Sequence, residues 1–160
     1  MKIEDRLHEL GLVLPPPMQS PGGMRLPFVN ARRRANRIYI SGHGPTSDDG
    51  SLAGPFGKVG REVTVDQAYA SARQVGLAIL GSLQREIGDL DKVSAWLRVF
   101  GMVNAAPGFN TTPLVINGFS DLILDLYGED RGAHARSAIG VAELPFDIPV
   151  EIEAELEIDG

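Results

Sequence analysis

Residues 135–154 read ARSAIGVAELPFDIPVEIEA, and the run continues as ELEI to Ile158. From Pro149 onward the alternation is strict. Val150, Ile152, Ala154, Leu156 and Ile158 fall on one face, and Glu151, Glu153, Glu155 and Glu157 on the other. Side chains of a strand alternate between faces, so this run is a half-buried strand over 149–158. Ala135 to Ala142 reads as a second strand, in which Arg136 shares a face with Ala138, Gly140 and Ala142. These small neighbours leave room beside the arginine, whose planar fork suits a carboxylate. An ion pair to another subunit would use the same arginine. The acidic face of the last strand is either solvated or, if covered, a set of crowded carboxylates with raised pKa values, useful for proton transfer.

Working outward, Lys92 to Val103 reads as a long strand, and Arg37 to Gly42 as another, with Ile38 and Ile40 opposite Tyr39 and Ser41. Between these two lies a helix. Thr64 caps its start, Gln67 completes a capping box, a stripe of apolar and small residues runs from Val65 to Leu83, and Gly88 terminates it. Thr112-Pro113 opens a second helix that buries Val115, Phe119, Leu122 and Leu126 and ends at Gly128. Ile3, Leu7, Leu10 and Leu14 recur at helical spacing, so a short helix ends near Gly11, and Pro15-Pro16-Pro17 then enforces an extended stretch. Pro45 to Gly60 is a glycine-rich loop with a turn at Asp49-Gly50. The pattern implies an α+β fold: a mixed sheet with two long helices on one face, its other face solvated or buried by another subunit.

With 160 residues the chain fits a single domain over 1–160, with residues 1–24 as an N-terminal helix and proline-rich extension. There are 0 cysteines, which excludes disulfides, thiol nucleophiles and thiolate metal sites. A net charge of −6 argues against a nucleic-acid partner held by phosphate contacts. The first residues lack the basic start and apolar run of a signal peptide. The longest uncharged run, 99–120, is broken by asparagine and proline, so a cytoplasmic protein with no membrane partner is expected.

Several motifs fail their spacing tests. Gly54 to Gly60 (GPFGKVG) resembles a phosphate loop, but Leu52 stands where a glycine is needed and Val59 where Ser or Thr should follow Lys58. Gly42-His43-Gly44 lacks the third glycine of a dinucleotide turn. His8, His43 and His134 have no partner at metal-ligand spacing, and no serine sits in a nucleophile elbow. Arg32-Arg33-Arg34 with Arg37 is a basic cluster suited to a solvated loop or edge, or to a polyanion.

Taken together, Arg136-Ser137, Val141-Ala142-Glu143-Leu144-Pro145 and Val150-Glu151-Ile152-Glu153-Ala154 closely resemble the signature of the Rid family, the RidA/YjgF-like enamine/imine deaminases, also called endoribonuclease L-PSP-like. Asn36 to Pro45 (NRIYISGHGP) and Val115 to Phe119 (VINGF) resemble two further blocks of the family in the expected order, so the resemblance spans roughly 25–158. The N-terminal helix, the longer 45–60 loop and the HARSA start at His134 resemble a longer subgroup.

The resemblance implies a chorismate-mutase-like fold, a homotrimer with sites in clefts between subunits, and no cofactor or metal. It implies that Arg136 pairs with a substrate carboxylate, that Glu151 positions or activates water, and that Ser41, Gly42 and Asn117 line the pocket. Phe28 falls where the type member has a tyrosine, and Ala138 where it has a cysteine; both departures favour a substrate bulkier or more apolar than 2-aminoacrylate. The implied reaction is hydrolytic deamination of a 2-enamine or 2-imine carboxylate. A non-catalytic carboxylate-binding trimer and, third, a ribonuclease are the alternatives.

Overall fold

The computed structural model describes residues 2–160. In chain order the elements are α1 (Lys2–Glu9), β1 (Ala31–Arg34), β2 (Arg37–His43), α2 (Val65–Ile87), β3 (Val93–Asn104), α3 (Thr112–Gly132), β4 (Ala135–Val141) and β5 (Val150–Ile158). The five strands form one mixed sheet in the order β1-β2-β5-β3-β4. β5 runs antiparallel to both β2 and β3, whereas β3 and β4 are parallel and joined by α3. A parallel pair needs such a crossover, and a helix is its usual form.

Local chemistry sets the helix limits. The Thr64 hydroxyl accepts from the Gln67 N–H at 3.1 Å, and the Gln67 side chain accepts from the Thr64 N–H at 3.0 Å. Both orphan donors at the start of α2 are thereby satisfied. Helical dihedrals in α3 fail at Gly128 (φ 72°, ψ 178°), the expected end, and a further turn then carries the element to Gly132. α2 and α3 lie side by side because Gly118 has no side chain. A Cβ there would come within 2.0 Å of the Tyr69 carbonyl oxygen, so any larger residue would prise the helices apart.

The core lies between these helices and one face of the sheet. Ile38, Ile40, Val99, Val103, Val150, Ile152 and Leu156 are buried there against Val75, Ile79, Leu83, Ile116, Phe119 and Leu122. Trp96 packs edge-on to both Phe119 and Tyr127 at 5.9 Å. The opposite face carries Tyr39, Phe100, Met102 and Ile139 beside the four β5 glutamates, and Tyr39 and Ile139 are exposed. Among the described residues, no helix is long and apolar enough to cross a membrane.

Two expectations need correction. Arg32-Arg33-Arg34 lies at a solvated edge, one of the two placements expected, but as part of a fifth strand, β1, which pairs with β2 from Ala31↔Ile40 to Arg34↔Arg37. The Arg136 strand ends at Val141, so Ala142 does not share its face. The helix opened by Thr112-Pro113 breaks at Gly128 as expected, and a separate turn follows to Gly132.

Candidate functional site

The residues expected to form the site fall into two groups, and sheet register sets them on opposite faces. Val99 pairs with both Arg136 and Ala154, and it is fully buried under the helices. Side chains of paired residues share a face, so Arg136 projects to the helix side. Met102 pairs with both Ile139 and Glu151 on the uncovered side. Within one chain, therefore, Arg136 and Glu151 are separated by the sheet itself.

The first group is built on β2 and β5. Their register slips between Ile40 and His43, which places Ser41 and Gly42 in a bulge. Bulges of this kind re-aim side chains. The Ser41 hydroxyl donates to the Val29 carbonyl at 2.7 Å, and its N–H to the Asn30 carbonyl at 3.0 Å, whereas the exposed Phe28 lines a cavity with Ser82, Arg85 and Glu86 of α2. The carboxyl of Glu151 lies directly over Gly42, where a Cβ would be 3.0 Å from both Cδ and Oε2. Only glycine leaves that place open. Glu151 is half-buried, and desolvation, then the nearby Glu153 charge, push its pKa above the ordinary carboxylate value. A carboxyl raised in this way is suited to exchanging a proton with water.

The turn that feeds β5 is held from outside. Phe146 and Asp147 both adopt the left-handed region (φ 57° and 59°), which non-glycine residues occupy only when held there. The buried Asn104 side chain donates to the Gly57 carbonyl at 3.3 Å, the Asp147 carboxylate at 3.1 Å and the Ile148 carbonyl at 3.2 Å. Lys58 donates to the Asn104 amide oxygen at 2.9 Å and to the Ala142 carbonyl, and pairs with Glu143 at 3.6 Å. The lysine of the apparent phosphate loop thus clamps a turn. Nothing in the sequence pattern singled out Asn104.

The second group is built on α3 and β4. Arg136 donates through Nη1 to the Asn117 side-chain oxygen at 2.9 Å and to the Ser120 hydroxyl at 3.1 Å, and through Nη2 to the Pro113 carbonyl at 3.5 Å. Among the described residues, no carboxylate lies within ion-pair distance of this guanidinium. Ala138, partly buried, packs against the core on the same face, and its carbonyl accepts from Thr112. Arg136, Asn117 and Ala138 thus sit in one group, and Ser41, Gly42 and Glu151 in the other, while Phe28 faces the α2 cavity. Ser120 and His134, which touch Arg136 directly or through one hydrogen bond, were missed; the contact bridges a helix end and carries no metal-ligand spacing.

One acidic cluster has ligand-like spacing: oxygen atoms of Glu4, Asp89 and Asp91 lie within 4.8 Å of one another. Glu4 accepts from the Leu90 N–H at 2.9 Å, Asp91 from the Ile3 N–H at 3.3 Å, and Asp89 from the Asp91 N–H at 2.9 Å. The cluster caps backbone donors and lies apart from both groups.

The family model described as "Endoribonuclease L-PSP" matches residues 23–158. This chain belongs to that family. Protein TCP17 of Trypanosoma cruzi is 35% identical over 99% of this chain and 95% of its own length. The solved structure of the Agrobacterium tumefaciens protein Atu1372, of unknown function, is 39% identical, covers 99% of this chain and 92% of that one, and superposes with a TM-score of 0.86. RidA from a Psychrobacter species shares the fold at 22% identity and a TM-score of 0.57, over 91% of this chain and 99% of that one. The mixed α+β architecture expected from the sequence is thus the one found in RidA/YjgF structures, and the L-PSP assignment spans both groups of site residues.

Proposed function

We propose that this protein hydrolyses reactive 2-imino or 2-enamino carboxylates to the keto acid and ammonia, in clefts between subunits of a homotrimer, without a cofactor. The observation that carries this reading is the Arg136 guanidinium, held by Asn117 and Ser120 with no carboxylate partner among the described residues. A half-buried guanidinium in that state is ready for an incoming carboxylate, and two parallel N–H donors would fix its plane. Glu151 supplies the second function. It holds a water against the iminium carbon and takes its proton. Glu151 then returns that proton to the carbinolamine nitrogen, the C–N bond breaks to release ammonia, and the hydroxyl proton passes to the Glu151 carboxylate as the keto C=O forms. The iminium is already electrophilic, so positioning of water and substrate is the main contribution asked of the protein.

The separation of Arg136 from Glu151 supports the subunit cleft. One chain cannot bring both to a small substrate, whereas a neighbour docked against the uncovered sheet face can complete the site. Phe28 and Ala138 present no polar group, which favours substrates with apolar side chains. The same two residues favour, as the second reading, a trimer that binds keto acids without turnover. The family's endoribonuclease description finds support only in the arginines of β1, against a net charge of −6.

The test is imine hydrolysis. An amino-acid oxidase generates 2-imino acids of graded size while semicarbazide traps what survives. Wild type is expected to outcompete the trap, best with larger apolar side chains, and Arg136→Ala to fail while keeping its assembly. Equal trapping with and without wild type on every substrate, alongside saturable keto-acid binding, would establish the second reading instead.

A further inference from the structure

The contacts behind Arg136 form a directed chain. The Nδ1 of His134 lies 2.7 Å from the Gly132 carbonyl oxygen, which only accepts, so Nδ1 carries the proton. In the neutral ring Nε2 is then an acceptor, and its partner at 2.9 Å is the Ser120 hydroxyl. With its proton committed to His134, the Ser120 oxygen presents lone pairs to Arg136 Nη1 at 3.1 Å. Every bond points the same way, from guanidinium to hydroxyl to imidazole to carbonyl. Ser120 is buried, and Phe119 stands edge-on to the imidazole at 6.1 Å, so the chain has few alternative arrangements. A cavity of about 280 Å³, lined by Ser120, Leu124, Glu129, His134 and Arg136, opens beside it.

We infer that Ser120 and His134 are positioning residues that hold the Arg136 guanidinium in the orientation required to receive a carboxylate. The inference rests on the proposed role of Arg136. Neutral His134 is required, because a protonated ring would donate through Nε2. Ser120 would then lose the acceptor for its own proton, and a second cation would stand behind the arginine. Arg136 and Glu129 are the charged groups that line the cavity with His134. Burial, and secondarily the Arg136 charge, hold the imidazole pKa below its ordinary value, so the neutral ring prevails at neutral pH.

Two measurements test this. The first needs no substrate: 15N NMR of the imidazoles in wild type, with His134→Gln to assign the signal. The Nδ1–H tautomer is expected, with a pKa that rises when Arg136 is replaced by Ala. An Nε2–H tautomer, or a pKa indifferent to Arg136→Ala, overturns the inference whatever the protein's activity. The second is kinetic. Ser120→Ala and His134→Ala should raise KM for an imino acid about tenfold with kcat nearly unchanged, the scale of one lost hydrogen bond to a charged group. His134→Gln, whose amide oxygen can accept from Ser120, should restore KM and abolish its rise at acidic pH. Unchanged KM in both alanine variants, with melting temperatures equal to wild type, would also overturn it. If wild type hydrolyses no imine while the NMR signature is present, the functional reading falls and the assignment of the chain behind Arg136 stands.

Discussion

The same hydrogen-bond chain occurs twice in this molecule, once in each group of site residues. Behind Arg136 it runs through Ser120 and His134 to the carbonyl of Gly132. Behind Arg85, on α2, it runs through Ser82 at 3.1 Å and His43 at 2.8 Å to the carbonyl of Ser41 at 2.6 Å. In both, the histidine bonds the carbonyl two residues before it and a serine from a neighbouring helix. The difference lies at the far end. Arg85 continues to the Pro15 carbonyl at 3.3 Å and so ties the N-terminal extension to the Ser41–His43 bulge. Arg136 instead meets the Asn117 side chain and a long contact to the Pro113 carbonyl, and it lines the cavity shared with Ser120 and His134. Both arginines reach a backbone carbonyl and line a cavity, but Arg85 joins two distant segments, whereas the half-buried Arg136 is held by α3, which marks the Arg85 chain as a staple and the Arg136 chain as a support for a ligand.

Replacing the two arginines gives the sharpest contrast. Arg136→Ala is expected to lower kcat/KM at least 100-fold, with a stability loss of about 1 kcal/mol from its hydrogen bonds to Asn117, Ser120 and Pro113. Arg85→Ala should leave kcat/KM within about twofold while destabilising the fold by about 1 kcal/mol, since it loses two exposed or half-exposed hydrogen bonds. Parallel activity assays and denaturant titrations would show this, and comparable activity losses in both variants would erase the distinction between staple and support.

Asn104→Ala should be the most damaging to stability, by about 2–3 kcal/mol in urea, because it strips partners from Lys58 and from three acceptors around the turn before β5. The loss would fall on the Glu151 group and leave the Arg136–Ser120–His134 geometry intact. Activity should therefore fall through kcat more than through KM.

Acid separates the two histidines. Burial depresses the pKa of both, and His43 is the more deeply buried. The unfolded chain then binds more protons than the folded one below the ordinary value of 6.5, so stability is full above that pH and is lost as pH falls through it. His43→Gln should flatten the fall in melting temperature between pH 7 and pH 5 more than His134→Gln does. The reverse order would mean that the His43 chain carries no strain of burial.

These regions differ also in how far the sequence disclosed them. The alternation in β5 and the capping box of α2 are local patterns, and local patterns need no knowledge of neighbours. β1 escaped because four residues, three of them arginine, have no core-facing alternation of their own; pairing with β2 makes them a strand. Arg136 is legible from the small residues on its strand face, and the family signature adds the role of Glu151. Their placement on opposite faces depends on inter-strand register, which a one-residue slip would reverse. Ser120, His134 and Asn104 were invisible because each acts through partners 14 to 47 residues away, across helix ends and loops.

The claim most open to direct test is that one subunit supplies Arg136 and another supplies Glu151. Arg136→Ala and Glu151→Gln, each inactive as a pure assembly, would be co-refolded in equal amounts and assayed for imine hydrolysis. Random mixing in a trimer pairs an intact Arg136 with an intact Glu151 at about one site in four, so about a quarter of wild-type activity should return. No recovery, with mixed assemblies verified by native mass spectrometry, would place both residues' work within a single chain and contradict the shared cleft.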